Sequence, residues 1–480
     1  MKKILKFQIW LLLSLVLIGT SCEKDFLDVN VDPNNPADAT VDLVFPAGTS
    51  GAAYVIGGWY QILGGMWAQH WTQSTGAQQY RAYDSYNITT TTLDDRQFGG
   101  LYYGALNDLE YVKKTASADN NWTYYLMATV VQCYTYQVLA DLYDRIPFSE
   151  ALQGADNFTP KWDMGQDVYN GLISRLNEAL AKDLNASTNQ MPGADDIIFN
   201  GNMDRWVEFA NTLKLKIYMR QCYANASAAS SGIQSLYTAG ADFLTADAAM
   251  TAFLDEANRR NPVYETEWDR FGGVNIVASN TLLNYLLNNG DPRADAIYNT
   301  PINGGAHFGL DQGDFFNPGP TNAADCSQPA VSGVDAVYFM SLAESYFLQA
   351  EAVVRYGVTG DAKLLYENGI EASFARFGVT GASALYGVGG VYEFPSTGTD
   401  EAKLEAIMNQ KWVAMANNQG LEAFLEQNRT HYPDFYTLAV NRVHGDRYPK
   451  RLLYPDSETV TNPNTPTVQQ VYVKVWWDQK

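Results

Sequence analysis

Residues 339–370 read FMSLAESYFLQAEAVVRYGVTGDAKLLYENGI, and this stretch decides the fold. Its first half has apolar and small residues three and four positions apart, the period that places them on one face of a helix. These residues are Leu342, Ala343, Tyr346, Phe347, Ala350 and Val354. The charged residues Glu344, Glu351 and Arg355 fall on the opposite face. A turn follows before a second helical segment, so the pattern predicts a pair of packed helices.

The aromatic and small residues of this hairpin follow the spacing of a tetratricopeptide repeat. The first helix matches as Phe339-x-x-Leu342-Ala343-x-x-Tyr346, and the second as Ala362-x-x-x-Tyr366-x-x-Gly369. The linker between them is several residues longer than in the usual repeat. Trp206-x-x-Phe209-Ala210-x-x-Leu213 repeats the first pattern elsewhere. Because the small residue lets neighbouring helices touch, we predict a mainly α fold built from tetratricopeptide-like helical repeats.

Long irregular stretches rich in Gly, Asn, Asp and Pro separate the helical segments. They cover roughly 184–202, 288–336, 378–400 and 455–468. Loops of this length in a compact protein tend to be functional. Strand-like alternation is scarce, with short extended pieces expected near 391–394 and 471–477. The predicted fold therefore combines helical repeats with long irregular loops and few short strands.

The segment from Val44 to Tyr80 contains no Asp, Glu, Lys or Arg. Pro46, several glycines and the polar residues after Ala68 make it a poor membrane span. Paired glycines at 57/58 and 64/65 lie seven positions apart, which places two notches on one face of a helix. We therefore predict a buried helix that other elements approach closely.

The N-terminus has the pattern of an export signal. Three lysines precede an apolar run from Phe7 to Ile18, and small residues then lead to Cys22. A helix of that length is too short for a hydrocarbon core of about 30 Å. Gly19 stands where the bacterial lipobox usually has leucine, as in the looser Bacteroidetes form. We expect a lipoprotein signal peptide over 1–21, lipid on Cys22, a tether over 22–40 and one helical domain over 41–480.

The charge balance excludes one class of partner. Asp and Glu number 53 against 32 Lys and Arg, so the formal charge is −21. Such a surface repels phosphate backbones, so we expect no nucleic-acid partner. An acidic protein is not held on an anionic membrane by its charge, so anchoring to the outer membrane would depend on the acyl chains.

Several segments together resemble the SusD/RagB family, in its SusD-like branch. The resembling stretches are 22–36 after the lipid-bearing cysteine, 142–151, 202–220, 261–264, 291–293, 344–378, 410–430 and 449–462. Within them stand Asp144-Arg145-Ile146-Pro147, where Arg145 replaces a smaller residue, and Gln410-Lys411-Trp412. Their order along the chain behind a lipobox carries the resemblance.

The resemblance implies a helical lipoprotein with four tetratricopeptide-like helix pairs on one side and longer loops on the other. Members sit on the cell surface and cap a SusC-like TonB-dependent transporter. They bind glycans, or in some branches peptides, without breaking bonds. We therefore expect a surface-exposed, lipid-anchored protein of the cell outer membrane that takes up a nutrient and is not an enzyme.

The sequence contains no motif for hydrolytic or phosphoryl-transfer chemistry. His70, between Trp67 and Trp71, is expected to be a hydrogen-bonded core histidine. Asp32 and the pair Asp94-Asp95 lack the spacing of a calcium loop, so neither a metal nor a cofactor is expected. A secreted all-helical glycoside hydrolase is the alternative, since its two carboxylates cannot be recognised without their separation in space.

Candidate ligand-binding residues combine aromatic rings with polar partners. Sugars present apolar faces that stack on rings, and hydroxyls that need hydrogen-bond partners. One segment supplies both, and a loop supplies a second candidate. These residues are Tyr80, Arg81, Tyr83, Asp84 and Tyr86, with Trp268 in the loop. The alternative for each ring is packing beneath neighbouring loops.

Overall fold

A computed structural model describes residues 39–480, apart from the side chain of Asp95. The predicted signal peptide over 1–21, the lipidated Cys22 and the tether as far as residue 38 lie outside the described residues. Within 39–480, no helix combines the length and the apolar character needed to cross a membrane.

Helices form most of the regular structure. In chain order they are α1 Val41–Val55, α2 Gln61–Trp67, α3 Arg81–Asp84, α4 Asn107–Ala118, α5 Trp122–Tyr143, α6 Gly165–Leu180, α7 Met203–Arg220, α8 Ala226–Thr238, α9 Pro262–Tyr264, α10 Asn280–Asn288, α11 Arg293–Ile297, α12 Leu342–Tyr356, α13 Ala362–Arg376, α14 Ala382–Tyr386, α15 Asp400–Ala414, α16 Gly420–Thr430 and α17 Asp456–Thr461. Wider π-helical turns occupy Ile56–Tyr60, Asp94–Gly99, Tyr102–Leu106 and Glu265–Arg270, and 3₁₀ turns occupy Gly154–Asp156 and Ala323–Asp325.

The strands are short and pair antiparallel in twos. They are β1 Trp71–Gln73, β2 Arg145–Pro147, β3 Trp162–Met164, β4 Ala248–Met250, β5 Ile276–Ala278, β6 Tyr298–Asn299, β7 Gln328–Pro329 and β8 Val337–Met340. The pairs are β1 with β5, β2 with β3, β4 with β8, and β6 with β7. The prediction of short extended pieces near 391–394 and 471–477 was wrong, because both segments are turns and irregular backbone.

Four pairs of consecutive helices pack against each other, as the family resemblance implies. They are α5 with α6, α7 with α8, α12 with α13, and α15 with α16. Neighbouring pairs are in contact, since α7 packs against α5 and α6, and α12 packs against α7, α8 and α15. The mainly α fold with few short strands is thereby confirmed.

The hairpin of α12 and α13 shows why the repeat needs its small and aromatic residues. A Cβ at Gly369 would lie 2.7 Å from the Phe347 ring, so only glycine allows this approach. The Phe347 and Tyr366 rings meet edge to face at 6.3 Å. Ser341 and Asp361 accept hydrogen bonds from backbone N–H groups at the two helix starts.

The glycine-rich segment is mostly buried, and α1, the π turn Ile56–Tyr60 and α2 follow one another directly along it. The backbone of Leu421, at the start of α16, lies where a Cβ on Gly64 would stand. Val337 of β8 occupies the same position at Gly57. The prediction of a buried, closely approached helix is confirmed.

Charged side chains are also buried between the helix pairs. Five carboxylates and five cations from five helices form ion pairs there: Asp141, Glu344, Glu351, Glu422 and Glu426 with Lys216, Arg220, Arg355, Lys411 and Arg429. We call this set the repeat charge network. Arg220 of α7 contacts Asp141 of α5 at 3.1 Å and Glu422 of α16 at 2.5 Å. The network therefore joins helices that lie far apart in sequence.

The pKa values of the carboxylates in the network shift in different directions. Burial raises the pKa of Asp141 to about 6, although Arg220 lies beside it. Burial would also raise the pKa of Glu426, but the charges of Arg429, Lys411 and Arg220 hold it well below its usual value.

His70 and the cysteines behave as core residues. His70 is completely buried in the turn after α2, and its Nε2 lies 3.1 Å from the Trp412 carbonyl oxygen. Burial lowers its pKa to about 3, so the ring is neutral. The prediction of a hydrogen-bonded core histidine is confirmed. Cys133, Cys222 and Cys326 are buried free thiols.

Candidate ligand-binding surface

Three segments meet on the loop side of the molecule: 78–86, 262–275 and 311–317. The pairing of β1 with β5 brings the first two together, because Trp71 lies opposite Ala278 and Gln73 lies opposite Ile276. The Asn275 carboxamide oxygen then accepts a hydrogen bond from the Gln79 backbone N–H at 3.3 Å. The structure thus brings together both sequence segments that contain the candidate residues.

Asp84 holds this assembly from the inside. Its carboxylate accepts hydrogen bonds from the Thr72 hydroxyl at 2.7 Å, from the Gln73 backbone N–H at 2.8 Å and from the Gln312 amide. Burial raises the pKa of Asp84 to about 6 despite these bonds. Since Asp84 is fully buried, it supports the surface from below and does not face solvent.

Three of the predicted aromatic residues are buried as well. Tyr80 and Tyr83 stack at 5.7 Å, and Phe271 meets Tyr80 edge to face at 6.4 Å. The Tyr86 hydroxyl oxygen accepts a hydrogen bond from the Ala439 backbone N–H at 3.2 Å. Tyr80, Tyr83 and Tyr86 lie in the interior because loops 262–275 and 435–443 cover them. In this conformation they form the floor of the surface, and their contact with a ligand stays a prediction.

Glu267 lies beneath the same surface. Its carboxylate accepts hydrogen bonds from the Asn275 backbone N–H at 2.7 Å and from the Asn275 side-chain amide at 3.3 Å. Burial raises the pKa of Glu267 to about 7, although these bonds favour the charged form. Burial and the nearby Glu267 charge also raise the pKa of Tyr80. Sequence inspection missed Glu267, because nothing in the segment ETEWDR shows which acid is buried.

Arg81 is the polar group that this surface presents. Its guanidinium lies 5.2 Å from the Phe315 ring centroid and 4.8 Å from that of Phe316. Such cation–π contacts hold a guanidinium in place and leave its N–H groups available. Among the side chains that the structure describes, Arg81 forms no ion pair, and its Nε is buried without a hydrogen-bond partner. The positive charge of Arg81 is therefore not neutralised by any described carboxylate, although the protein is acidic.

Phe315 and Phe316 were missed by the sequence-based prediction. Phe315 is buried beneath Arg81, whereas Phe316 remains 65% exposed. They follow Gly313 and Asp314 and precede Asn317 and Pro318. The available signal was a pair of adjacent phenylalanines in a loop of turn-forming residues. A loop has no core of its own for such rings to fill, so they indicate contact with another segment or with a ligand.

Trp268 lies in the loop that covers Tyr80. Its ring stacks nearly parallel on Tyr264 with centroids 5.7 Å apart, and both side chains are partly exposed. A Cβ at Gly273 would meet the Trp268 ring at 2.8 Å, so this glycine lets the loop close around the indole. Trp268 and Arg81 are thus the two sequence-predicted residues that remain accessible.

One group in this region has the composition of a hydrolase triad. His307 Nδ1 lies 2.9 Å from the Ser327 hydroxyl oxygen, and His307 Nε2 lies 2.8 Å from an Asp295 carboxylate oxygen. Ser327 is completely buried. A nucleophile must be reachable by its substrate, so these contacts fasten strand β7 to α11 and offer no reaction site. No group of three or more metal-ligating side chains lies within the part of the chain from 39 onward.

The fold and this surface define a helical-repeat protein that presents an arginine flanked by aromatic rings on its loop side. The chain belongs to the SusD-like family, since the family model described as "Starch-binding associating with outer membrane" matches residues 53–455. No curated protein sequence matches the chain.

Solved structures with the same fold are numerous. A SusD homologue from Bacteroides uniformis has 22% identity and a TM-score of 0.74, covering 91% of this chain and 99% of its own. A chitin-binding protein has 24% identity and a TM-score of 0.76, with coverage of 91% and 99%. A chitin-binding SusD homologue from Flavobacterium johnsoniae has 21% identity and a TM-score of 0.73, with coverage of 91% and 98%.

Proposed function

We propose that this protein binds a glycan at the cell surface and delivers it to a SusC-like TonB-dependent outer-membrane transporter. The observation that carries the proposal is Arg81, whose guanidinium lies against the Phe315 and Phe316 rings without an ion-pair partner among the described side chains. Family membership supports it, as do the two chitin-binding proteins that share the fold.

The surface chemistry suits a sugar. The exposed Phe316 ring and the Trp268 indole offer apolar faces against which the C–H face of a sugar ring packs. The Arg81 guanidinium donates hydrogen bonds to hydroxyl groups, and its position is fixed before the ligand arrives. The two carboxylates beneath this surface, Asp84 and Glu267, are buried and hydrogen-bonded, which supports binding and release without bond cleavage.

A binding screen tests the ligand. The protein without residues 1–21 is exposed to a glycan array and to a peptide library, and bound glycans are then analysed for shortened products. We expect binding to glycans and recovery of the intact ligand. Binding to peptides alone would overturn the glycan proposal, and release of shortened chains would favour the hydrolase alternative.

Anchoring and delivery form the second half of the proposal. We propose that Cys22 carries lipid and that the protein is exposed on the outer membrane beside its transporter. Mass spectrometry of the native protein should show acyl chains on Cys22, and gentle purification from membranes should recover a TonB-dependent transporter. An unmodified Cys22 thiol, or a retained leader, would contradict this half alone.

A further inference from the structure

A groove of about 410 Å³ lies between α1 and the segment 250–270. Its size is within the range of small-molecule sites, about 300–1,000 Å³. Pro262, Glu265 and Arg270 line it, whereas Glu267 and Phe271 of the same segment pack beneath the Arg81 surface. The groove is therefore a separate concavity, formed by other residues of the loop that carries Trp268.

The wall of the groove is braced by Arg260. Its guanidinium contacts Asp255 at 2.6 Å and Asp269 at 2.5 Å, which ties the loop 251–259 to the turn that follows α9. These carboxylates hold the pKa of Arg260 above its usual value. Within the loop, the Leu254 N–H donates to the Arg259 carbonyl oxygen at 2.9 Å. Because its wall is held in this way, the groove is formed before any ligand enters.

Polar groups in the groove lack partners among residues 39–480. Arg270 is exposed and forms no ion pair among the described side chains. Burial raises the pKa of Tyr80, and the nearby Arg270 charge partly opposes this shift. The Glu265 carboxylate accepts the Asn258 N–H through Oε1 at 3.3 Å. Its Oε2 is buried and has no donor in the described chain. One donor and one acceptor are thus left for an occupant.

The apolar part of the groove includes two aromatic rings. Tyr54 projects from α1 and is 51% exposed, and Phe253 lines the facing loop. A half-exposed tyrosine beside unpaired polar groups is a suitable place for the apolar face of a sugar ring. A ligand with a net charge would meet either Glu265 or Arg270 unfavourably, whereas hydroxyl groups can satisfy both.

We propose that this groove is a second ligand site that takes a neutral sugar unit, with Tyr54 as the stacking ring, Glu265 as hydrogen-bond acceptor and Arg270 as donor. The inference rests on the proposed function only in taking the ligand to be a glycan. It adds a site that does not depend on Arg81, so the two sites can be removed separately.

Calorimetric titration of short malto- and chito-oligosaccharides into four proteins tests the proposal. The proteins are the wild type, Arg81→Met, and Arg81→Met combined with either Tyr54→Ala or Tyr103→Ala, all without residues 1–21. Tyr103 is the matched control, since it is also an exposed tyrosine, at 60%. We expect Arg81→Met to retain weaker binding, Tyr54→Ala to lower the remaining affinity about tenfold or more, and Tyr103→Ala to leave it unchanged.

Glu265→Gln provides a second test that preserves side-chain volume. It should lower the residual affinity of Arg81→Met about threefold to tenfold, because a hydrogen bond to a charged acceptor is replaced by a neutral one. Residual binding that is insensitive to both Tyr54→Ala and Glu265→Gln, or absent from Arg81→Met, would overturn the second site alone. Failure of the wild type to bind any glycan would overturn the proposed function as well.

Discussion

The two sides of the molecule use charged residues in opposite ways. On the helical side, each of the ten groups of the repeat charge network has at least one ion-pair partner within the domain. On the loop side, Arg81 lies against two phenylalanine rings and pairs with no carboxylate among the described side chains. A protein with a formal charge of −21 has many carboxylates that could pair with Arg81, yet none of the described ones does. Arg81 therefore differs from the network cations, whose charges are matched by carboxylates inside the domain.

The largest expected effect comes from breaking the network. Arg220→Met leaves Asp141, Glu422 and Glu426 short of one positive charge in a buried place. Removing one partner of a buried ion pair typically costs about 3–5 kcal/mol. We expect a loss of that size in the free energy of unfolding, measured by urea denaturation.

The control for this substitution is a partly exposed ion pair on the surface of one helix. Lys363 lies 3.7 Å from Glu367 on the surface of α13, so Lys363→Met should change the free energy of unfolding by less than about 1 kcal/mol. Equal small losses in the two variants would show that the network does not stabilise the helix pairs.

The next effect is a pH dependence of the free energy of unfolding, which arises from Glu267 beneath the loop surface. The pKa of Glu267 is raised from 4.5 to about 7. The folded protein therefore binds a proton more tightly than the unfolded chain, and this favours folding at low pH. That contribution is fully present below about pH 4.5 and is lost as the pH rises through about 7, with a size on the order of 2–3 kcal/mol.

Glu267→Gln removes this titration and keeps an acceptor for the Asn275 N–H. Between pH 4.5 and pH 8, the stability of the variant relative to the wild type should therefore increase. Urea denaturation of both proteins at the two pH values measures the change. A difference that stays constant across the range would mean that Glu267 is ionised throughout.

Much of the fold could be predicted from the sequence, because a helix needs only a local pattern. The stripes around residues 206–217, 342–354 and 404–415 correspond to α7, α12 and α15. The network could not be predicted in this way. Lys216 appears as a residue of the polar face, yet it is 2% exposed, because Glu344 and Glu422 approach it from α12 and α16. Such pairs join residues that are remote in sequence, and spacing within one helix does not show them.

The candidate surface was predictable in part for the same reason. Aromatic and charged residues indicate a segment, but burial decides which of them solvent reaches. Tyr80, Tyr83, Asp84 and Tyr86 lie beneath loops that come from distant parts of the chain, whereas Arg81 and Trp268 reach the surface. Phe316 reaches it from a third segment that has no regular structure of its own.

A smaller effect is expected when the isolated cation is removed. Arg81→Met keeps a long side chain against Phe315 and Phe316 but removes the donors, so affinity for the glycan found in the array should fall about tenfold to thirtyfold. Calorimetric titration measures this, and Arg81→Lys should recover only part of the loss, because an ammonium lacks the planar set of donors. An unchanged affinity in Arg81→Met would place the ligand elsewhere.

The smallest effect tests whether the buried aromatic residues only support the surface or also contact the ligand. Tyr83 is buried and stacks on Tyr80. Tyr83→Phe keeps this packing and removes only the hydroxyl group, so affinity for the same glycan should change less than about twofold. Phe316→Ala is the matched comparison, because it removes an exposed ring of the same surface and should weaken binding about fivefold to tenfold. A tenfold loss in Tyr83→Phe would mean that the loops covering this ring open when the ligand binds, and that the floor of the surface then touches the sugar.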